Sequence, residues 1–507
     1  MTTDVQAPQA TRAGTPDTFD SLSPVTGDVV GTHRIHTAAE VEAKVTRAHE
    51  AAVWWAGLTF DERAERLTAW AGVITRRIAQ LADVVHQETG KPHSDAMLEA
   101  SLAMDHIAWA AKNAQKVLGR RKVPAGLVMA NQACTVEYRP LGVVGVIGPW
   151  NYPVFTPLGS IVYALAAGNA VVFKPSELTP GVGEWLVSSF AEVVPEQPVF
   201  QLVTGFGESG AALCRAGVGK VAFTGSTATG KKVMAACAET LTPVIIEAGG
   251  KDAVIVDEDA DVDAAADAVL WGACSNAGQT CTGVERVYVH ERVYDEFLSS
   301  LLDKARDLSA EDSPDAKIGP ITMPEQLDVI RSHIGDALER GGRAVLGGPG
   351  AVGERYVQPT VLVDVPEDSS AVQDETFGPT VTISKVKDMD EAIAKTNGTR
   401  FGLGSTVFSK ARGMELAERI RSGATAVNAV LSFMAVPSLP FGGVGDSGFG
   451  RIHGADGLKE FTYAKAIARQ RFKPLLALTT FGRTAKTDNQ LTQILTMLHG
   501  RGSTLEK

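Results

Sequence analysis

Short apolar segments recur through most of this sequence, and stretches with helical periodicity separate them. An apolar segment of this kind is typical of a strand buried on both faces, and a helix between two such strands makes their pairing parallel. The predicted strands of a first series are Thr135–Gly148, Ala170–Phe173, Phe200–Val203, Val221–Phe223 and Val244–Glu247, and those of a second are Glu285–His290, Gly342–Leu346, Val361–Val363, Val381–Val386, Thr406–Phe408 and Ala426–Asn428. The chain is therefore predicted to fold as two successive α/β layers.

Composition supports a folded enzyme-sized protein and argues against several partners. The 507 residues are 44% hydrophobic and 21% charged, a globular balance with length for two to four domains. The net charge of −11 disfavours nucleic acid as a partner. The longest apolar region, Ile161–Phe173, is interrupted by Gly168 and Asn169, so no membrane span and no membrane contact are expected. The N-terminal segment does not have the pattern of a secretory signal, and the expected location is cytoplasmic.

Outside the two strand series the chain is predicted to be helical or irregular. Apolar residues at helical spacing predict one helix over Val41–Trp55 and one long helix over Leu67–Val85, ended by Glu88–Pro92. Residues 1–19 are expected to be a mobile arm. The glycine-rich run Phe441–Gly450 is predicted to be a shaped loop, and a short amphipathic helix is expected between a cap at Asp488 and a stop at Gly500.

Three residues are candidates for chemistry, although each has a structural explanation when taken alone. Cys281 follows Asn276–Thr280, a run of small residues that we expect to let a substrate approach closely. A lone cysteine is more often a buried apolar residue, and the four others (Cys134, Cys214, Cys237 and Cys274) keep that interpretation. Glu247 ends an apolar strand before two glycines, where a general base could face a cleft. Asn151, held between prolines, could donate to an oxyanion.

A glycine-containing turn between a predicted strand and helix is a candidate phosphate site. Residues 221–232 run from an apolar strand through Gly225 and Ser226 into a helix, whose N-terminal N–H groups suit a phosphate. Such turns are also common as plain structure. The segment nearly matches a P-loop, but Lys232 stands where the magnesium-binding hydroxyl belongs, which leaves nucleotide hydrolysis as a distant alternative.

Taken together, seven segments resemble the aldehyde dehydrogenase superfamily over roughly residues 20–475. The segments are Pro149–Asn151, Lys174–Glu177, Phe223–Ser226 with Gly230, Glu247 with Gly249–Lys251, Gly278–Cys281, Glu375–Pro379, and Pro440–Gly443 with Ser447–Gly448. They occur in the family's order. Ala248 departs from the leucine common in the family.

The resemblance implies a covalent mechanism without a metal. Cys281 would attack the aldehyde, Asn151 and the Cys281 N–H would hold the oxyanion, and Glu247 would activate water to hydrolyse the thioester to a carboxylic acid. Family members that pass the acyl group to coenzyme A generally lack this glutamate.

The resemblance also assigns cofactor residues. Lys174 and Glu177 would hold the adenine ribose, and Gly225, Ser226 and Gly230 would form the turn at the pyrophosphate. Glu375 and Phe377 would position the nicotinamide ribose and ring, and Trp150 is also expected to bind the cofactor. A carboxylate at Glu177 would repel a 2′-phosphate, which predicts NAD as the preferred cofactor and weaker use of NADP.

The implied architecture has three parts and an oligomeric assembly. A Rossmann-like NAD-binding domain is expected over 20–131 and 153–250, a catalytic domain over 251–454, and an oligomerisation arm over 132–152 and 455–475, with an extension at 476–507. The arm would pair two subunits of a homodimer, and a homotetramer stays open. The apolar tract Leu431–Pro437 predicts an aliphatic or aromatic aldehyde. A succinate-semialdehyde-type dehydrogenase and a non-catalytic relative are the alternatives.

Overall fold

Helices and strands alternate along the chain as its sequence pattern predicts. The structure, a computed structural model, describes residues 17–313, 315–474 and 476–500. The helices are α1 (Ala38–Gly57), α2 (Phe60–Arg76), α3 (Ile78–Thr89), α4 (His93–Leu118), α5 (Phe155–Ala166), α6 (Pro180–Val193), α7 (Gly207–Arg215), α8 (Thr227–Ala238), α9 (Val262–Cys274), α10 (Tyr294–Ala305), α11 (Gln326–Glu339), α12 (Ser370–Gln373), α13 (Met389–Thr396), α14 (Gly413–Glu418), α15 (Gly454–Glu460) and α16 (Ala485–His499).

The strands form four sheets in the described part of the chain. They are β1 (Thr18–Leu22), β2 (Val29–Arg34), β3 (Arg121–Val123), β4 (Gln132–Pro140), β5 (Val143–Ile147), β6 (Ala170–Lys174), β7 (Phe200–Leu202), β8 (Lys220–Gly225), β9 (Val244–Ala248), β10 (Asp252–Val256), β11 (Val284–His290), β12 (Arg343–Leu346), β13 (Thr360–Val363), β14 (Thr380–Val386), β15 (Gly404–Phe408), β16 (Ala424–Val427), β17 (Gly448–Phe449) and β18 (Thr462–Gln470). The predicted α/β class is confirmed.

Two of the sheets are mostly parallel, one for each predicted strand series. The six-stranded sheet has the order β17-β9-β8-β5-β6-β7, with only the short β17 antiparallel to its neighbour. The seven-stranded sheet has the order β12-β13-β14-β11-β10-β15-β16, with only β12 antiparallel. The inner strands β6, β10 and β11 are buried along their whole length, because helices cover both faces of a parallel sheet.

The single helix predicted over Leu67–Val85 is wrong, because the chain forms two helices there. Arg77 leaves helical geometry (φ −118°, ψ 20°) between α2 and α3, and its guanidinium pairs with the Glu192 carboxylate at 2.7 Å. Leu67 and Val85 are both buried on either side of the break. The apolar period continues across Arg77 because it reports which side of the chain is buried, and it carries no information on backbone continuity.

The chain divides into two compact units. One comprises the described residues up to 117 together with 140–462 and contains both large sheets and the β1–β2 pair, which the sequence pattern did not reveal. β1 begins at Thr18, inside the segment predicted as a mobile arm; residues 1–16 of that arm lie outside the described residues.

The second unit comprises residues 118–139 and the described residues from 463 onward. It contains the three-stranded sheet β18-β4-β3. The segment 132–152 is therefore shared between two sheets, since β4 lies in this one and β5 lies in the six-stranded sheet. Helix α16 begins at a Thr484 cap, four residues before the predicted Asp488, and none of its residues is buried. Within the described residues, no helix combines the length and apolar character that a bilayer crossing requires.

Candidate active site

The predicted site residues lie where an edge of the six-stranded sheet meets an edge of the seven-stranded sheet. Because β8, β5 and β6 are parallel neighbours, the residues at or after their carboxyl ends share one edge. Because β10, β11 and β14 are parallel neighbours, the segments before them share one edge of the other sheet. Only three residues, 249–251, connect β9 to β10, which holds the two edges together.

Cys281 follows a tight left-handed turn, between that turn and β11. Asn276, Ala277 and Gly278 have φ values of 52°, 56° and 70°, a conformation that L-residues rarely adopt. A Cβ on Gly278 would lie 2.2 Å from the Gly378 carbonyl carbon. Gly278 therefore admits a neighbouring backbone segment where a side chain would not fit.

The Cys281 thiol faces the Glu247 carboxylate at the end of β9. The sulfur is 3.5 Å from Glu247 Oε1, and Thr224 Oγ1 donates to Oε2 at 3.0 Å. Burial raises the pKa of Glu247 to about 7. Burial and the Glu247 charge raise the pKa of Cys281 well above its usual range, although the side chain is partly accessible to solvent. The thiol therefore lies next to a carboxylate able to accept its proton.

Asn151 presents its amide to the same turn. Its Nδ2 donates to the Gln279 carbonyl oxygen at 2.9 Å. A primary amide carries two N–H donors, so a second donor is available for a substrate oxygen. Tyr152, the next residue, forms a hydrogen bond with Thr280 through their hydroxyls at 3.0 Å. Contacts from the Asn151 segment therefore reach the two residues that precede Cys281.

The residues predicted to hold the adenosine end lie on the six-stranded sheet. Lys174 ends β6, and its Nζ lies 3.8 Å from Glu177 Oε2. Burial lowers the pKa of Lys174. Ser226 follows β8 and caps α8, accepting from Thr229 N at 3.2 Å, and it remains exposed. Gly230 is buried one turn into the helix, where a Cβ would lie 3.1 Å from the Ile246 side chain.

The other residues predicted to bind the cofactor come from both sheets. Glu375 Oε1 accepts from Gly250 N at 3.0 Å, and burial together with the Glu285 charge raises the pKa of Glu375 to about 8. The Phe377 ring packs edge-on against Trp150 with centroids 5.6 Å apart. The segment before β14 is thereby attached to the loop that carries Asn151.

These features fit a dinucleotide cofactor. The first turn of α8, a helix of 12 residues, opens at the carboxyl edge of a parallel sheet, where a phosphate is stabilised by free N–H groups and the helix dipole. Gly249 has no room for a side chain, because its Cβ would lie 2.1 Å from Glu375 Oε1. The backbone there is shaped around the carboxylate predicted to bind the nicotinamide ribose.

The sequence pattern missed several groups that support the site. Thr224 faces Glu247 from the neighbouring strand, a relation that only the β8–β9 register creates. Two buried lysine–glutamate pairs, Lys91–Glu99 and Lys251–Glu285, each hold a loop of the site. Lys91 had been interpreted only as part of a helix stop. In the sequence, these pairs are indicated only by a lysine directly after a glycine at the end of a predicted helix or strand. This pattern does not identify the glutamate with which the lysine pairs.

Comparisons with known proteins agree on one family. The sequence model of the Aldehyde dehydrogenase family matches residues 11–467. A relative from Methylomonas sp., named 4,4'-diapolycopene aldehyde oxidase, is 36% identical over 93% of this chain and 88% of its own length. Glutarate-semialdehyde dehydrogenase from Pseudomonas aeruginosa is 34% identical, with 88% and 92% covered. The crystal structure of a NAD-dependent aldehyde dehydrogenase from Sinorhizobium meliloti superimposes with a TM-score of 0.87 at 34% identity, covering 91% of this chain and 93% of that one.

Proposed function

Because the chain belongs to the aldehyde dehydrogenase family and is an oxidoreductase acting on aldehydes, we propose that it oxidises its substrate to a carboxylic acid through a thioester on Cys281. The observation that carries this proposal is the 3.5 Å approach of the Cys281 sulfur to Glu247, beside the Asn151 amide. A non-catalytic relative would have no reason to keep all three groups together. The P-loop hydrolase alternative finds no support in this family membership.

In the first step Glu247 accepts the Cys281 proton while the sulfur attacks the aldehyde carbon. The carbonyl electron pair moves onto oxygen, and the second N–H of Asn151 Nδ2 together with the Cys281 backbone N–H stabilises the resulting oxyanion. A bound nicotinamide cofactor supplies the acceptor for the hydride that leaves this carbon. The acyl group then remains on Cys281 as a thioester.

In the second step Glu247 acts as a base toward water. Once its first proton has passed to solvent, the carboxylate takes a proton from water, whose oxygen attacks the thioester carbon. The carbon–sulfur bond breaks, the carboxylic acid leaves, and the Cys281 sulfur recovers a proton. A base whose pKa lies near 7 is suited to this step at neutral pH.

The family uses NAD or NADP, and we propose NAD as the preferred cofactor of this chain. Glu177 is only partly buried beside Lys174, at the place where the adenine ribose is expected. A carboxylate there accepts from a free 2′-hydroxyl and repels a 2′-phosphate.

We propose an apolar aldehyde as the substrate. The apolar tract Leu431–Pro437, which we propose lines the substrate entrance, contains Phe433, which stacks on Phe441 with centroids 6.1 Å apart, and Val436, which is 40% exposed. An aldehyde like that in the name of the Methylomonas relative suits such a lining better than a short semialdehyde with a carboxylate, which remains the alternative.

A homodimer is the proposed minimal assembly, with a tetramer open. Strand β18 lies at the edge of its three-stranded sheet and is exposed along nearly its whole length, with Tyr463 52% exposed. An unpaired edge of this kind is suited to pairing with a second copy. Light scattering of the purified protein measures the mass, and a monomer at micromolar concentration would contradict the proposal.

The experiment that tests the function is NADH formation across a panel of aldehydes. The panel contains aliphatic, aromatic and polyene aldehydes together with succinate semialdehyde. We expect turnover with the apolar aldehydes by the wild type and none by Cys281→Ala, which should still bind NAD. The absence of NADH with every aldehyde would overturn the proposal, and a marked preference for succinate semialdehyde would overturn only the substrate class.

A further inference from the structure

A lysine and a glutamate far from Cys281 in sequence form a fully buried ion pair beneath the Asn151 loop. The side chains of Lys91 and Glu99 are both 0% exposed and are directly hydrogen-bonded. Lys91 follows Gly90, which ends α3 in a left-handed conformation, and Glu99 lies within α4. Neither residue is part of the chemistry described above.

Each member of the pair holds one end of the segment that carries Asn151. Lys91 Nζ donates to the Asn151 carbonyl oxygen at 2.9 Å and lies 4.0 Å from the centre of the Tyr152 ring. Glu99 Oε1 accepts from the backbone N–H groups of Val154 at 2.7 Å and Phe155 at 3.1 Å. The segment between them is therefore held at both ends by one charged pair.

This attachment determines where the Asn151 amide can point. The Asn151 carbonyl oxygen accepts from Lys91 and also from Asn276 Nδ2 at 3.0 Å. Two donors on one carbonyl restrict the peptide plane, and the Asn151 side chain leaves the backbone from that plane. Its Nδ2 reaches the Gln279 carbonyl oxygen two residues before the nucleophile.

Packing alone gives no reason for charges at this place. A buried ion pair is often no more stabilising than apolar residues of similar volume, because desolvation offsets the Coulomb attraction. Apart from their bond to each other, the Lys91 ammonium and the Glu99 carboxylate form hydrogen bonds with the backbone of residues 151–155. The apparent benefit of the pair is therefore the geometry of that segment.

We propose that Lys91 and Glu99 are positioning residues, which orient the Asn151 amide toward the oxyanion that forms at Cys281. The inference rests on the proposed function, because it requires an oxyanion there. Both side chains are fully buried, and neither is one of the groups proposed to react. Their effect should appear in the acylation step, whose rate depends on the direction of the Asn151 N–H.

The test compares acylation in full-length variants, measured as the first-turnover burst of NADH. We expect Lys91→Met to slow acylation about tenfold to a hundredfold and Lys91→Arg to restore part of the rate. In an Asn151→Ala background, Lys91→Met should cause little further loss, because the group that it positions is already absent. Losses that multiply in the double variant would overturn the proposal.

A second variant guards against simple unfolding. Lys91→Met combined with Glu99→Leu leaves no uncompensated charge, so we expect it to fold and bind NAD while acylation remains slow. Acylation at the wild-type rate in this folded variant would contradict the positioning role.

The matched control is Lys220→Met. Lys220 pairs with Glu460 at 2.6 Å at the amino end of β8, opposite the site. The acylation rate of Lys220→Met should equal that of the wild type. A loss as large as that of Lys91→Met would show a general effect of removing a buried lysine and would overturn the inference. A wild type that oxidises no aldehyde overturns the proposed function as well, whereas an active wild type with unaffected variants overturns the positioning role alone.

Discussion

The two buried lysine–glutamate pairs of the site are built alike and hold different loops. Lys91 follows Gly90 as Lys251 follows Gly250, and both ammonium groups are excluded from solvent. In each pair the glutamate accepts from two consecutive backbone N–H groups. These are Val154 and Phe155 for Glu99, and Thr376 and Phe377 for Glu285.

The difference lies in what each held loop carries. The loop held by Lys91–Glu99 carries Asn151, which faces the nucleophile turn. The segment held by Lys251–Glu285 carries Glu375 and Phe377, predicted for the nicotinamide end of the cofactor. One kind of buried pair thus holds two different loops, and we propose that one loop serves the chemistry and the other serves cofactor binding.

The largest effect is expected from a substitution that changes the proposed chemistry and leaves both lysine–glutamate pairs intact. Glu247→Gln should reduce steady-state turnover about a hundredfold to ten-thousandfold, because the base for thioester hydrolysis is lost. Cofactor affinity should stay unchanged, since neither buried pair is altered. Rapid mixing followed by acid quench should show slower formation of the acyl-enzyme on Cys281 and slower hydrolysis of what forms, because Glu247 is the base in both steps. If Glu247→Gln lost cofactor affinity by as large a factor as turnover, the chemical and cofactor-binding parts of the site would not be separable.

The second prediction breaks the other pair. Lys251→Met should weaken NAD binding about tenfold or more, because Glu285 loses its partner and the Thr376–Phe377 backbone loses its anchor. Protein fluorescence titrated with NAD measures this affinity. Lys91→Met is the matched control, which should bind NAD nearly as the wild type does. Either single variant should lose about 3–5 kcal/mol of unfolding free energy, so stability alone does not distinguish the pairs.

The pH dependence of turnover and of NAD affinity should distinguish the chemical part of the site from the cofactor-binding part without any substitution. The pKa of Glu247, raised by burial to about 7, leaves it protonated below that pH, so turnover limited by hydrolysis should fall about tenfold per unit as the pH decreases below 7. The pKa of Glu375 is raised to about 8, so NAD affinity should increase as the pH rises through 8 and its carboxylate forms. Identical midpoints for turnover and affinity would contradict the assignment of separate groups.

The smallest effect concerns the adenosine end, away from both pairs. Glu177→Gln removes a charge without changing the shape of the side chain, and the efficiency with NADP should rise about fivefold relative to NAD. Steady-state kinetics with both cofactors at a fixed aldehyde concentration measures the ratio. Glu184→Gln, a substitution on the following helix α6, is the surface control. No change in the ratio for Glu177→Gln would exclude this carboxylate as the source of NAD preference.

Much of the fold could be predicted because its signals are local. The strands β6, β8, β9 and β11 lie where short apolar segments are bounded by turn residues, and α1 lies where apolar residues recur at helical spacing. The break at Arg77 and the β1–β2 pair were missed. The break at Arg77 leaves the buried face of the two helices continuous, so the apolar period does not reveal it. The β1–β2 pair contains few apolar residues, and each strand depends on pairing with the other.

Part of the site was predictable for a similar reason. Cys281, Glu247 and Asn151 each stand at the end of a recognisable element, and the resemblance supplied their roles. Thr224 could not be found this way, because nothing near it in sequence points to Glu247, 23 residues away. Lys91 and Asn151 are 60 residues apart, and their contact depends on how α3, α4 and α5 pack.

The amino-acid sequence by itself determined the alternation of helices and strands and the candidate catalytic residues at their ends, because periodicity and turn chemistry act over a few neighbouring residues. Only the tertiary structure decided that the carboxyl edge of one sheet meets the amino edge of the other, and which buried lysine meets which glutamate. Those outcomes depend on the packing of segments far apart in the chain. A buried charge is strongly destabilising unless its oppositely charged partner is buried beside it.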